Sequence, residues 1–252
     1  MTVSPVESLI PYVVIVLAIV LTLIMTRLGR RLRLRIPSGY QALPVAIQEA
    51  VEAGKAVHIS LGSGAVQENS ALSAVAGIAI ARYATTKALN SDHPPLVTTS
   101  QPVTLALAQE SLRQGYKARG RQVSYRPSLA QWIPQGRGSV TFAAGASIAM
   151  TEESVQTNVL VGEFGSGLAI MTETAQRENQ PVIAQSDQIE GQAIAYTTSR
   201  TPLIGEELYV ADAYLSGTPQ DVASALTMDV LRYAVIVLIV VGAVAGLLGG
   251  SH

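Results

Sequence analysis

The chain has 252 residues, and 48% of them are hydrophobic, which is ample material for a sizeable core and excludes a wholly disordered chain. Only 14% of the residues are charged, a composition that is unusual for a soluble globular protein and indicates segments in lipid. The formal net charge of −1 makes nucleic acid the least favoured partner, and the absence of cysteine excludes disulfides and thiol chemistry.

Two uncharged apolar runs lie near the ends of the chain, "LIPYVVIVLAIVLTLIMT" and "YAVIVLIVVGAVAGLL". At about 1.5 Å per helical residue, runs of this length can cross a hydrocarbon layer of roughly 30 Å, with neighbouring residues completing the second. The first run lacks the early positive charge of a cleavable signal peptide, which is the competing interpretation. The pattern therefore predicts transmembrane helices at 8–27 and 230–249, with Gly242 and Gly246 allowing close helix packing in the second.

Five arginines follow the first apolar run directly. By the positive-inside rule such a cluster holds its end of a span in the cytoplasm, and this role is favoured over binding of anionic headgroups. The sequence therefore predicts a two-pass protein of the bacterial inner (plasma) membrane, with both termini outside and a cytoplasmic domain over 28–229. The arginines are Arg27, Arg30, Arg31, Arg33 and Arg35.

Between the apolar runs, short β-branched segments alternate with longer helical ones. "AVHISLGSG" and "PPLVTTS" predict strands, and each is followed by a predicted helix, "ENSALSAVAGIAIARYATTKAL" and "PVTLALAQESLRQGY". The alternation returns in "TNVLVGEFGSG", "LAIMTETAQREN", "QPVIAQS" and "DQIEGQAIAYTTS". It predicts an α/β fold with a Rossmann-like, mostly parallel sheet, helices on both faces and two pseudo-repeated halves.

Three segments fit this alternation less well. Residues 117–138 are predicted to form a loop or an irregular strand pair, and "SVTFAAGASIAM" a strand followed by a helix of small residues. "TPQDVASALTMDVLRY" is predicted to begin at the N-cap Thr218 and to continue into the second apolar run as one long helix.

Two glycine turns follow predicted strands, and glycine at the start of a helix lets backbone amides hold an anion. The dinucleotide fingerprint is incomplete, because Gln67 stands at the third glycine position, and no Walker lysine follows either turn. Tight turns are the favoured explanation of these glycines, and a small anionic ligand or nucleotide is the alternative. That ligand would contact Gly62, Ser63, Gly64, Ser100, Gly165, Ser166, Gly167 and Ser186.

The sequence contains no group of residues with the spacing of a catalytic or metal site. His58 falls in a predicted strand, His93 in a turn and His252 at the last position, so each is expected to be structural or solvated. Neither glycine turn has the spacing of a nucleophile elbow. We expect a protein that is not an enzyme and that uses no metal or cofactor.

Charge divides the chain into two halves of opposite sign. Residues 27–151 carry fourteen lysines and arginines against five acids, and residues 152–229 carry twelve acids against two arginines, net +9 and −10. Packing of one half on the other within a domain and contact between copies in a ring or array both fit this split. The basic stretch with Tyr116, Tyr125 and Trp132 is predicted to contact another copy or anionic lipid. Its residues for that contact are Arg113, Lys117, Arg119, Arg121, Arg126, Trp132 and Arg137.

The layout of the chain and the phrases "GSGAVQENSALS" and "GEFGSG" resemble an uncharacterised bacterial membrane-protein family, a domain of unknown function with two transmembrane helices flanking a cytoplasmic α/β domain. The resemblance brings no activity with it. The charge split favours a non-enzymatic, membrane-anchored scaffold that self-assembles through its α/β domains, with lipid, other copies and other membrane subunits as partners. The alternative is a membrane-tethered sensor or regulator that binds a small anionic ligand or nucleotide at the glycine turns.

Overall fold

The computed structural model describes residues 18–24, 26–27, 36–65, 70–89, 93–136, 139–215 and 217–249. The chain divides into two compact units. The larger unit is Ile36–Leu215, and the smaller unit combines Met1–Arg35 with Ser216–His252. The larger unit lies inside the predicted domain of 28–229 and contains the α/β fold.

Helices and strands alternate through the larger unit. Its helices are α1 (Ser38–Glu52), α2 (Ala71–Ala88), α3 (Pro102–Ala118), α4 (Ser139–Glu152), α5 (Leu168–Arg177), α6 (Ile189–Thr198) and α7 (Ala211–Leu215). Its strands are β1 (Ala56–Gly62), β2 (Leu96–Thr99), β3 (Ala130–Trp132), β4 (Val155–Glu163) and β5 (Val182–Ser186). Short 3-10 helices lie at Gln122–Ser124, Pro127–Leu129 and Gly205–Val210.

The five strands form one parallel sheet in the order β3-β2-β1-β4-β5. This is the doubly wound order, in which the chain moves outward from β1 in one direction and outward from β4 in the other. Ile59 pairs with both Val97 and Val159, so β1 is the central strand. The predicted α/β fold with a Rossmann-like parallel sheet is confirmed, and the two predicted halves lie on opposite sides of the boundary between β1 and β4.

Helices cover both faces of the sheet, since β1 is buried along its whole length. On one face, Ile59 of β1 packs in a core with Ile80 of α2 and Leu112 of α3. On the other face, Leu160 of β4 packs in a second core that includes Met171 of α5. Because side chains alternate along a strand, neighbouring residues of β4 enter different cores, Val159 and Val161 the first and Leu160 the second.

Two predicted segments differ in the structure. The segment of α4 is helical throughout, where its Val-Thr-Phe start predicted a strand. Tertiary packing overrides that propensity, because a Cβ at Gly145 would lie only 2.6 Å from Cγ2 of Ile133, so the glycine lets α4 approach closely. In 117–138, the described residues are largely loop and 3-10 helix, and the three residues of β3 form a single strand that pairs in parallel with β2 in place of the predicted strand pair.

In the smaller unit, helix α8 (Pro219–Gly249) is one long helix that includes the predicted second span. Among the helices that the structure describes, none combines the length and the apolar character that crossing a membrane requires. The prediction of a two-pass inner-membrane protein held by a two-helix anchor is therefore wrong. The N-terminal half of α8 carries Asp221, Asp229 and Arg232, which interrupt its apolar surface.

The first predicted span and the arginine cluster after it lie largely outside the described residues. Of the predicted span at 8–27, only 18–24 and 26–27 are described, and the Thr22 hydroxyl there donates a hydrogen bond to Thr227 Oγ1 of α8 at 3.2 Å. Arg27 is exposed. The other four arginines of the predicted topology signal lie outside the described residues, namely Arg30, Arg31, Arg33 and Arg35. Gly242 and Gly246 lie in α8, and their role in helix packing stays a prediction.

Candidate functional site

The carboxyl ends of the parallel strands meet along one edge of the sheet, where doubly wound proteins bind ligands. The glycine turn Gly62–Gly64 follows β1, and the turn Gly165–Gly167 follows β4, its neighbour in the sheet. Ser100 follows β2, and Ser186 is the last residue of β5. The structure thus brings all the predicted ligand residues to one edge, around the point where strand order reverses.

The ends of β1 and β4 approach each other closely at this edge. Gly62 has a φ of +64°, and a Cβ there would overlap the carbonyl oxygen of Glu163 at the end of β4. The Ser63 amide donates a hydrogen bond to the same oxygen at 2.9 Å. The cavity beside Ser63 and Phe164 has a volume of about 10 Å³, which is room for a single water molecule. Glycine at this turn is explained by the approach of the two strands.

Of the four serines predicted to bind a ligand, Ser63, Ser100 and Ser186 donate or accept hydrogen bonds within the protein, whereas Ser166 is exposed. The Ser186 hydroxyl donates to the Phe164 carbonyl at 2.7 Å and accepts from the Phe164 amide at 3.1 Å. The Ser100 amide donates to the Gly62 carbonyl at 3.1 Å. The Gly167 amide donates to the Ser139 hydroxyl oxygen at 3.0 Å. These bonds tie the ends of β1, β2, β4 and β5 together and use groups that an anion would need.

A carboxylate lies at the N-terminus of α2, the helix that follows β1. Asp187, just after β5, accepts a hydrogen bond from the Ser73 hydroxyl in the first turn of α2, at 2.7 Å. In a dinucleotide-binding fold a phosphate is held at this helix end, because backbone amides and the helix dipole favour negative charge there. Here the protein supplies that negative charge itself.

Burial and a second carboxylate perturb Asp187. Burial raises the pKa of its carboxyl above the usual range, the hydrogen bond from Ser73 opposes this shift, and the nearby Glu163 raises it further. Glu163 in turn accepts a hydrogen bond from the Gln188 side chain at 2.6 Å. Two carboxylates beside the glycine turns repel an anionic ligand. Sequence analysis missed Asp187 as a site residue; its only local signal was the Ser-Asp-Gln that precedes α6.

His58 lies in the middle of the sheet and is fully buried. Its Nδ1 is 3.0 Å from Asn158 Oδ1, and its Nε2 is 2.9 Å from Thr98 Oγ1. The Asn158 amide nitrogen donates to Gln180 Oε1 at 2.7 Å, so its oxygen is the atom that faces the ring. Burial lowers the pKa of His58 to about 4, against the hydrogen bond with Asn158. The ring is therefore neutral near pH 7 and serves the structure.

Among the described residues, no three acidic or histidine side chains lie close enough together to hold a metal ion. His93 is exposed in the turn before β2, and His252 lies outside the described residues.

The basic residues predicted for self-association lie together at the β3 end of the sheet. The side chains of Arg113, Lys117, Arg119, Arg121 and Arg126 are exposed on α3 and on the segment between α3 and β3. Trp132, at the end of β3, is half exposed and donates a hydrogen bond from Nε1 to the Ser100 carbonyl at 2.9 Å. Arg137 lies outside the described residues.

Three of these arginines also have partners within the protein. Arg113 forms a two-pronged ion pair with Glu110, with both N···O distances 2.8 Å. Arg119 donates to the Thr86 carbonyl at 3.3 Å, and Arg121 donates to the Leu89 carbonyl. Of the aromatic residues, Tyr116 is buried against Tyr125, with ring centroids 5.7 Å apart, so it is part of the core and not of the predicted surface.

Strand order separates the charged halves of the sequence in space. Residues 96–132, which form the β2–β3 side with α3, carry five lysines and arginines and one acid. Residues 155–198, which form the β4–β5 side with α5 and α6, carry five acids and one arginine. One end of the sheet is therefore basic and the opposite end acidic.

A family model described as Domain of unknown function (DUF6754) matches residues 1–252, the whole length of the chain. The chain belongs to this family, and the resemblance to a domain of unknown function seen in the sequence is confirmed. No curated protein and no solved structure matches the chain. The family description assigns no activity.

Proposed function

We propose that the protein is a non-enzymatic scaffold whose α/β units associate head to tail, the basic β3 end of one copy against the acidic β5 end of the next. The observation that carries this proposal is the separation of charge by strand order. Opposite charges on two different surfaces favour a heterologous contact, which closes into a ring or continues as an array.

Distance argues against neutralisation of the two ends within one copy. At about 4.8 Å between neighbouring strands, β3 and β5 are separated by roughly 19 Å across the five-stranded sheet. The Debye length at physiological salt is about 8 Å, so charges at the two ends barely sense each other through solvent. A second copy can bring them within contact distance.

The test is the mass of the purified full chain in solution, measured by sedimentation at about 20 mM and about 500 mM salt. We expect species larger than a monomer at low salt, and we expect them to dissociate at high salt because solvent-exposed ion pairs are screened. A monomer at both salt concentrations would overturn the proposal.

A pair of charge reversals connects assembly to the basic end. Arg126→Glu changes an exposed arginine between α3 and β3, and we expect it to weaken low-salt assembly. Lys55→Glu makes the same change in charge at an exposed position before β1, away from the β3 end, and serves as the matched control. Equal effects of the two variants would indicate a dependence on net charge alone.

A second candidate is a sensor or regulator that binds a small anionic ligand or nucleotide at the glycine turns. Its support is that both turns lie where strand order reverses, the usual ligand position of the fold. The internal hydrogen bonds of the serines and the carboxylates Asp187 and Glu163 weigh against it. A rise in the unfolding temperature of the full chain on addition of a nucleotide would favour this candidate.

A further inference from the structure

An apolar groove runs along the outer side of the α2–α3 pair. Its volume is about 390 Å³, and it is lined by Val75 and Ala79 of α2 and by Leu107 of α3, among others. Val75 is 54% exposed and Leu107 is 41% exposed. Leu72 and Val103 are also exposed and lie one helical turn before Val75 and Leu107, so they extend the same apolar surface.

The groove also contains polar groups. The hydroxyl oxygen of Ser111, on the α3 side, is buried and has no hydrogen-bond partner. Glu110 is held by Arg113 and Gln114, and the hydrogen bond from Arg113 is the main cause that lowers the pKa of its carboxyl. Glu110 is thus an ionised and already paired group, and the rest of the charge on α2 and α3 is positive. The positive residues are Arg82, Lys87, Arg113 and Lys117.

An apolar ridge lies on the other face of the sheet, along α6. Ile189 is 86% exposed and Tyr196 is 70% exposed, although both are large apolar side chains. They are seven residues apart, which places them on the same side of a helix two turns apart. Three carboxylates lie near Ile189. Asp187 and Glu190 are within two residues of it in the sequence, and Glu163 accepts a hydrogen bond from the side chain of the adjacent Gln188.

We propose that α6 of one copy lies in the α2–α3 groove of the next copy, antiparallel to α2. This inference rests on the proposed self-association and names the surfaces that carry it. The occupant is a second copy because the ridge supplies what the groove lacks, exposed apolar side chains flanked by negative charge. The lengths agree, since the ten residues of α6 and the stretch from Leu72 to Arg82 each span about 15 Å.

Electrostatics sets the direction of α6 in the groove. The carboxylates lie at the N-terminus of α6, whereas Lys87 and Lys117 lie in the last turns of α2 and α3. An antiparallel α6 brings its carboxylates towards Arg82, the cation that lines the groove on α2, and turns them towards the end of α2 that carries Lys87. Ile189 then lies near Ala79, and Tyr196 lies between Leu72 and Val103.

A copy cannot fill its own groove. On one face of the sheet α2 packs over β1 and β4 and α3 over β2 and β3, whereas α6 packs on the other face beside β5, at the acidic edge. Each copy therefore offers one groove and one ridge to two different neighbours. Such a contact grows into a chain or a ring and cannot stop at a symmetric dimer.

The test uses two variants of the full chain, each with one surface blocked. Val75→Glu places a charge in the groove, and Ile189→Glu places one on the ridge. At low salt we expect each variant alone to lose every species above monomer mass. Mixed in equal amounts, they should form a one-to-one pair and nothing larger, because the ridge of the first still fits the groove of the second.

Ile148→Glu is the matched control, since Ile148 is 56% exposed on α4 and belongs to neither surface. This variant should assemble like the wild type. Thermal unfolding of each variant checks that the fold is kept, and Leu72→Glu replaces Val75→Glu if the latter unfolds early.

The outcomes separate this inference from the function on which it rests. A wild type that is monomeric at low salt overturns both. A wild type that assembles while Val75→Glu and Ile189→Glu assemble equally well overturns the groove and ridge but keeps the scaffold. Two monomeric variants that fail to pair when mixed also overturn the groove-ridge contact.

Discussion

The central strand β1 buries apolar side chains on one face of the sheet and polar side chains on the other. Towards α1–α3, β1 presents Val57, Ile59 and Leu61, which join an apolar core. Towards α4–α6, it presents His58 and Ser60, both completely buried. Apolar burial stabilises a fold directly, whereas buried hydrogen bonds mainly offset the cost of removing polar groups from water. We therefore expect the first face to dominate stability and the second to determine its response to pH.

The largest effect is expected from Ile59→Ala on the apolar face. The change removes a completely buried side chain and leaves a cavity, so it should lower the free energy of unfolding by about 2–5 kcal/mol. Ser60→Ala, on the other face of the same strand, should cost only about 1 kcal/mol. Urea denaturation of the full chain measures both values. Equal losses would contradict the comparison of the two faces.

A smaller effect, confined to acid, is expected from His58 on the polar face. Its pKa falls from 6.5 to about 4 on folding, so between these values the unfolded chain binds more protons than the folded one. The contribution of His58 to stability is complete above pH 6.5 and is lost as the pH falls towards 4, by up to about 3 kcal/mol. The free energy of unfolding at pH 7, 5.5 and 4.5 measures this loss.

The control separates His58 from other groups that titrate in acid. His58→Gln should flatten the dependence on pH above about 4.5, because it removes the buried imidazole. If His58→Gln retains the full slope, the buried ring is not its source.

The smallest effect is expected at Asp187, which lies at the sheet edge and belongs to neither core. Its raised pKa means that the charged form is less favourable in the folded state, so this penalty is absent below the unfolded pKa and grows as the pH rises. Asp187→Asn should increase stability at pH 7 by no more than about 0.5 kcal/mol, since the group is partly exposed. A gain in affinity for inorganic phosphate, measured by calorimetry, would further show that the carboxylate repels anions. A clear loss of stability would mean that its bond with Ser73 matters more than its charge.

Most of the sheet could be predicted from the sequence, because local pattern carries the signal for long buried strands. β1, β2, β4 and β5 are β-branched runs bounded by glycine or proline. β3 was not predicted, because Ala130–Trp132 is short and only its pairing with β2 makes it a strand. Near the two ends of the sequence, hydropathy alone predicted membrane spans, but no helix among the described residues is long and apolar enough to cross a membrane.

The candidate site was predicted in position but not in chemistry. The glycine turns and serines do meet at one edge, as the carboxyl ends of parallel strands must. Their hydrogen bonds could not be predicted, since Asp187 and Ser73 lie 114 residues apart and His58 and Asn158 lie 100 residues apart. Contacts of that separation leave no trace in local spacing. The role of the basic residues in self-association stays a prediction.

Strand order also bears on how the molecule is made on the ribosome. The central strand β1 is synthesised first, but its partner β4 emerges about a hundred residues later, as the pairing of His58 with Asn158 shows. Until then one edge of β1 is open, and the nascent chain offers an unpaired apolar strand to chaperones or to other nascent chains. Pairing over such a distance also slows folding. Emergence of β4 and β5, rather than emergence of β1 and β2, is therefore the step after which the sheet can close.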